Sequence, residues 1–395
     1  MIEPSARSRE IRYAVRDVLA VAAEAKRAGR KLYPLNIGDP LAFDFKTPPA
    51  MIEAVERAMR DGRNGYGDSI GLAEALDAVR ADAGRRGIRA IRRAFLCSGT
   101  SEGIEIALAS LANRGDNVLV PSPGYPLYEA VLHKLEIECR HYPLVEERGW
   151  SPDVERMAEL ADARTRAAVV INPNNPTGSV APRETLASVV GIAAKKGFLV
   201  IADEIYDKLV LDGPAQPPLA SLSPDVPVLT FNGLSKAYLA PGWRMGWGIL
   251  SGPEKEVQAY GDAVEKFLRA RLSSNHPMMY AVKPALEGDQ SHLGRTVETL
   301  RRRRDVTQAA LTAMPGVSCV PPAAAFYAFP RLAIREEDEE FVRGLIRATG
   351  VIVVHGAGFG QAAGTRHFRV VFLPPEEVLK EALGLVRDYI ARHAS

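Results

Sequence analysis

The stretch TFNGLSKAYLAPGWRMGW, from Thr230 to Trp247, decides how the chain reads. Its centre is Lys236. An apolar run, Val226-Pro227-Val228-Leu229-Thr230-Phe231, leads into Asn232-Gly233-Leu234-Ser235 and delivers the lysine. Arg244 follows eight residues later, before a second apolar run, Met245 to Leu250. Taken alone, Lys236 reads as a solvated loop residue, because lysine is among the residues least often buried. Held on a tight loop between two buried strands, it becomes a chemical group once other segments supply partners for it.

Working outward, apolar runs of four to eight residues recur at Ala94 to Cys97, Asn117 to Val120, Ile137 to Tyr142, Ala167 to Ile171, Phe198 to Ala202, Val226 to Phe231 and Arg244 to Leu250. Helical patterns lie between most of them: Ser101 to Asn113, Tyr125 to Lys134, Asp153 to Ala161 and Arg183 to Lys196. Strands apolar on both faces and alternating with helices predict an α/β unit: a mostly parallel seven-stranded sheet with helices on both faces. Beyond Gly252 the pattern changes to long helices, Glu254 to Arg271, Gly294 to Ala313, Glu339 to Thr349 and Pro375 to His393, separated by short strands. That predicts a smaller α+β domain with mostly antiparallel strands. At 395 residues the chain exceeds what one core supports. The expected division is residues 1–45 as an N-terminal arm joining the small domain, 46–285 as the large domain, and 286–395 as the small one.

A net charge of +2 gives no global field for nucleic acid or membrane. No run approaches the roughly 18 apolar residues that span a bilayer. Three cysteines without metal-type spacing point to a reducing compartment and no metal. The expected location is cytoplasmic. The one basic run, Arg301 to Arg304, reads as a solvated helix face.

The suggestive residues sit at strand ends, where open parallel sheets bind ligands. Cys97-Ser98-Gly99-Thr100-Ser101 ends a strand and opens a helix, so its free N–H groups suit an anion; a plain cap by Ser98 or Thr100 is the simpler reading. Asn172-Pro173-Asn174-Asn175-Pro176-Thr177-Gly178 is longer than a turn needs. Asp203, in Asp203-Glu204-Ile205-Tyr206, puts a carboxylate at a buried strand end, which is costly without a cation. Arg369, in Phe368-Arg369-Val370-Val371-Phe372, wants a carboxylate for its planar fork. A lysine amine, a buried carboxylate and an anion cradle are what pyridoxal phosphate requires.

With these segments in order, the chain resembles the class I/II aminotransferases, pyridoxal-phosphate enzymes of fold type I, over nearly its whole length. Asn36 to Pro40, Tyr66 to Ser69, Asn232 to Lys236 and His355 to Gly360 are similar to the alanine aminotransferase branch. The resemblance implies roles. Lys236 holds the aldehyde of pyridoxal 5′-phosphate and moves the proton. Asp203 meets the ring nitrogen, and Tyr206 and Asn175 the ring oxygen. Thr100, Ser101, Ser235 and Arg244 take the phosphate, joined by Tyr66 of a second subunit in a homodimer. Tyr125 stacks on the ring. Arg369, with Gly38, reads the substrate α-carboxylate. Tyr13 and Arg16 close over the substrate, Arg16 meeting a distal carboxylate; Arg12 and Arg271 are rivals for that contact. Both Ser122-Pro123 and Asn175-Pro176 are expected to be cis. The implied activity is ping-pong transfer of an amino group between an L-amino acid, alanine first, and 2-oxoglutarate. An aspartate or broad-specificity aminotransferase and a carbon–sulfur lyase are alternatives on the same fold. A non-catalytic regulator would need a DNA-binding domain, for which no residues are spare.

Overall fold

The computed structural model describes residues 2–9, 11, 14–214 and 216–393. Its centre is an eight-stranded sheet. Numbered in chain order, the strands are β1 (Ile91–Cys97), β2 (Asn117–Ser122), β3 (Glu138–Val145), β4 (Ser151–Pro152), β5 (Thr165–Ile171), β6 (Leu199–Asp203), β7 (Val228–Gly233) and β8 (Gly246–Ser251). They lie side by side in the order β1-β8-β7-β6-β5-β2-β3-β4. β2, β3, β5, β6 and β7 run parallel; β8 runs antiparallel to both its neighbours, β1 and β7. Seven strands match the seven apolar runs. The eighth, β4, is two residues long and contains a proline, too little for a period-2 signal.

Every residue of β6, β7 and β8 is buried, the mark of a sheet covered on both faces. Alternate residues serve two separate apolar clusters. Val118, Val120, Val169, Ile171, Ile201 and Phe231 pack toward helices Thr100–Leu111, Leu127–Lys134 and Glu254–Ala270. Leu119, Ala168, Val170, Val200 and Ala202 pack into the other, toward helices Ala73–Arg85 and Arg183–Lys196. This two-sided packing fixes the register, since a one-residue slip would exchange the faces. It also brings the carboxyl ends of β1, β2, β5, β6 and β7 to one edge of the sheet.

The C-terminal part has a three-stranded antiparallel sheet, Tyr327–Ala328, Phe368–Val371 and Val354–His355, with Phe368–Val371 in the middle. Helices Ser291–Thr312, Asp338–Thr349 and Glu376–His393 cover it. The N-terminal segment reaches this part: Tyr33 and Pro34 pair in parallel with Val351 and Ile352. Among the described residues no helix is long and apolar enough to cross a membrane.

The arginine run corrects the expectation. Arg303 and Arg304 are 4% and 7% exposed rather than solvated. Arg304 donates to Asp212, Asp305 and the Pro322 carbonyl oxygen at 2.6–2.7 Å. Only Arg301 and Arg302 keep the open face of that helix. Burial of a guanidinium needs partners for its N–H groups, and the fold supplies them from distant segments. Replacing Arg304 by alanine should therefore lower unfolding free energy by about 1.5–3 kcal/mol, and Arg302→Ala by less than about 1 kcal/mol. Denaturant titration of the two variants distinguishes them; equal losses would contradict this assignment.

Candidate functional site

The shared strand edge opens into a cavity of about 540 Å³. Its wall gathers Gly38, Thr100, Ser101, Tyr125, Asn175, Asp203, Tyr206, Ser235, Lys236, Arg244 and Arg369, with Arg16 at the rim. These residues come from the ends of β1, β2, β5, β6 and β7, from the loop before β8, from the C-terminal sheet and from the N-terminal segment.

Lys236 follows the end of β7 in the tight loop that the sequence predicts. Its Nζ donates to the Gly38 carbonyl oxygen at 2.7 Å and lies 5.5 Å from the centre of the Phe326 ring. Burial lowers its pKa from 10.5 to about 8; Arg369 and Arg244 push the same way, while Asp39 and Asp203 oppose them. Arg369, rather than the sequence neighbour Arg244, is the stronger cationic influence.

Asp203 closes β6 and is 3% exposed. Its carboxylate accepts from the Tyr128 hydroxyl at 3.1 Å and the Ile205 N–H at 3.3 Å. Burial raises its pKa to about 6, against the pull of Tyr128 and Ile205. Among the described residues no lysine or arginine comes within ion-pair distance of it, so a cationic partner inside the cavity would suit it. Tyr206, three residues on in a turn, shares a 2.8 Å hydrogen bond with Tyr327 and is buried.

Arg369 is 2% exposed in the middle strand of the small sheet, not on an edge facing water. It donates from Nη1 to Asn175 Oδ1 at 2.9 Å and from Nη2 to the Asn36 carbonyl oxygen. Its guanidinium lies between the rings of Tyr327 and Phe359, at 4.7 and 4.8 Å. That brackets the fork and aims it. The Ser122-Pro123 and Asn175-Pro176 bonds are cis, as expected, and so is Asn172-Pro173.

The anion cradle is built differently from a side-chain cap. Neither Ser98 nor Thr100 caps helix Thr100–Leu111; its N-cap is Gly99, at φ 76°, without a capping side chain. A Cβ on Gly99 would stand 2.2 Å from Arg244 Nη2. Glycine thus serves twice: it takes the left-handed turn, and it admits the Arg244 guanidinium against the helix start. Arg244 itself sits in the left-handed region at φ 54° and donates to the Pro241 carbonyl oxygen at 3.1 Å.

Other expected residues fall elsewhere. Tyr66 is 85% exposed and does not line this chain's cavity. Tyr13 and Arg12 lie outside the described residues. Arg271 donates to the Ser69 and Leu96 carbonyl oxygens at 3.2 and 2.7 Å and pairs with Glu102 at 3.5 Å, so it is engaged away from the cavity. Reading the sequence missed Tyr128, which holds Asp203, and Tyr327, which contacts Tyr206 and Arg369. The one available sign for Tyr128 was its place one helical turn after Tyr125. Tyr327 had none.

Comparison with known proteins agrees with this geometry. The family described as aminotransferase class I and II matches residues 30–385. The glutamate-pyruvate aminotransferase AlaA of Haemophilus influenzae is 37% identical over 382 residues, 94% of this chain and 93% of the relative. The alanine aminotransferase of Mycobacterium bovis is 37% identical over 407 residues, 98% of this chain and 92% of that protein. Among solved structures, the alanine aminotransferase from Pyrococcus furiosus superposes with a TM-score of 0.95 at 36% identity, covering 99% of this chain and 100% of its own.

The lowered pKa of Lys236 gives a direct readout. The amine is protonated below its pKa and free above it, so in protein stripped of small molecules its labelling by an amine-directed reagent should be half-maximal near pH 8, where an ordinary lysine needs about 10.5. Peptide mapping across a pH series measures this. A midpoint near 10.5 would show that the cavity does not desolvate the amine.

Proposed function

The chain belongs to the class I and II aminotransferases, and from that premise we propose that it moves an amino group between alanine and 2-oxoglutarate in two half-reactions through the cavity around Lys236. One observation carries the reading. A desolvated amine, a buried carboxylate with no ion-pair contact among the described residues, an anion cradle and a bracketed arginine face one space of about 540 Å³.

The family uses pyridoxal 5′-phosphate, and the residues present fit it. Asp203 offers a buried anion for the ring nitrogen, Tyr206 and Asn175 offer polar groups for the ring oxygen, and Tyr125 offers a face for the ring. Thr100, Ser101, Ser235 and Arg244 surround the start of helix Thr100–Leu111, where its free N–H groups and dipole favour a phosphate. When bound, pyridoxal 5′-phosphate supplies an electron-poor ring that takes up the electrons left when an amino acid loses its α-proton.

The protein's own groups do the rest. Lys236 would hold the cofactor at its aldehyde end, and its amine, when free, would take the α-proton and return it. The amine must be unprotonated for both tasks, and its lowered pKa meets that requirement near neutral pH. Arg369, with Asn175 beside it, holds the substrate α-carboxylate in a two-pronged contact. Gly38 presents its backbone to the same group; a Cβ there would stand 2.4 Å from the Tyr327 hydroxyl. Arg16 at the rim reads the distal carboxylate of 2-oxoglutarate or glutamate. Alanine as donor is supported by the names of the relatives above and by the full-length likeness to them.

A screen of donors tests the reading. Alanine and glutamate should bleach the visible absorbance of the loaded enzyme, and pyruvate or 2-oxoglutarate should restore it. Faster bleaching by aspartate or tyrosine, or release of ammonia without an acceptor, would overturn it. In the same assay Arg16→Ala should raise KM for 2-oxoglutarate by about tenfold and leave KM for pyruvate unchanged, because it removes one charged hydrogen bond from one substrate only.

The working unit in this reading is a homodimer in which Tyr66 reaches the partner's phosphate site; its exposure on the single chain supports that role. Sedimentation of the loaded enzyme should give twice the chain mass, and a monomer of full activity would contradict the assignment. The free cysteines and the absence, among the described residues, of a membrane-crossing helix support a cytoplasmic location.

A further inference from the structure

The segment from Asn36 to Thr47 forms one wall of the cavity through Ile37, Gly38 and Asp39; Phe43 and Phe45 pack against the core, but few hydrogen bonds tie the segment to the rest of the chain. Its inner end is tied by Arg369 to the Asn36 carbonyl oxygen. Its outer end is tied by the Thr47 hydroxyl, which donates to the Leu239 carbonyl oxygen at 2.5 Å. Between these anchors several hydrogen bonds stay within the segment: Asp39 accepts from the Leu41 N–H at 3.0 Å, and the Pro40 carbonyl from the Phe43 N–H at 3.1 Å. Leu41 and Asp44 are exposed. Lys236 holds the middle through the Gly38 carbonyl oxygen. That bond cannot last through the proposed reaction, because the same amine is needed elsewhere.

A second tether does not involve the amine. Both oxygens of Asp44 accept from Arg303 Nη2, at 2.7 and 2.6 Å. Arg303 is 4% exposed, on helix Ser291–Thr312. Its other prong donates to the Leu373 carbonyl oxygen, and its guanidinium lies 5.0 Å from the centre of the Phe45 ring. The arginine is thus oriented before it meets Asp44, and the partners lie 259 residues apart. We propose that Asp44 and Arg303 form a clasp that seats Gly38 and Asp39 against the substrate whenever Lys236 lets go of Gly38. Asp44 does not line the cavity, so it is a positioning residue. With a side chain 57% exposed, its pairing does little for global stability and acts on this segment. The inference rests on the aminotransferase reading above.

The test uses the full-length loaded enzyme and two independent readouts, substrate kinetics and amide hydrogen exchange over residues 38–46. Asp44→Asn should raise KM for both alanine and 2-oxoglutarate by about tenfold and change kcat by less than about twofold, since misplacing a binding wall weakens substrate positioning. Exchange should quicken within residues 38–46 and nowhere else, and Asp44→Glu should recover part of both effects. Unchanged KM, a fall in kcat alone, or faster exchange across the whole chain would overturn the clasp. Because Asp44→Asn leaves Arg303 buried without its anion, the double variant Asp44→Leu/Arg303→Met guards against simple misfolding. It must show the same local exchange and the same rise in KM, and wild-type values would refute the proposal. If the unaltered enzyme transfers no amino group, the functional reading fails, while the exchange measurement still decides whether the clasp holds the segment.

Discussion

The structure depends on keeping one carboxylate dry. Asp203 ends a strand whose five residues are all buried, and among the described residues Lys236 acts on its charge only from beyond ion-pair distance. A buried, unpaired carboxylate costs several kcal/mol or takes up a proton, and burial here raises its pKa to about 6. The fold tolerates this because Tyr128 and the Ile205 N–H hold the side chain in place. Such a group is costly to the empty chain and useful to a loaded one. A protonated ring nitrogen seated against it, as proposed, would be stabilised by the same lack of water that makes the bare carboxylate expensive.

The remaining parts follow from where Asp203 sits. Strands buried on both faces end together at one edge, so the loops that carry Thr100, Tyr125, Asn175, Tyr206 and Lys236 converge there without further instruction. The sheet supplies the floor only. The opposite wall is Arg369, on a separate three-stranded sheet, together with the segment around Gly38. Arg369 joins the two through Asn175 on one side and Asn36 on the other. It also contributes to the lowering of the Lys236 pKa. One cation therefore both joins the two walls and helps hold its neighbouring amine ready to lose a proton, and in the proposed reaction it also reads the substrate carboxylate.

Much of this was legible in the sequence, for a physical reason. Strands covered on both faces write themselves as unbroken apolar runs, and polar residues at their ends stand out against that background. Lys236, Asp203, Asn175 and Arg244 were found that way, and all four line the cavity. What failed to show depends on contacts between distant segments. Arg303 and Arg304 looked like a solvated face because their partners, Asp44 and Asp212, lie far away in the chain. The cap at Gly99 was hidden because a missing side chain leaves no sign except the arginine that fills its place. Tyr128 offered only its spacing from Tyr125 and Tyr327 offered nothing, since an aromatic in a helix or a two-residue strand reads as ordinary core.

The account stands on one covalent assignment, that the Lys236 amine carries the cofactor aldehyde. Reduction of the loaded enzyme with borohydride, followed by digestion and mass mapping, tests it most directly. The account predicts a single modified peptide bearing the cofactor mass on Lys236. A label on any other lysine, or no stable label in a protein that keeps its yellow colour, would contradict it.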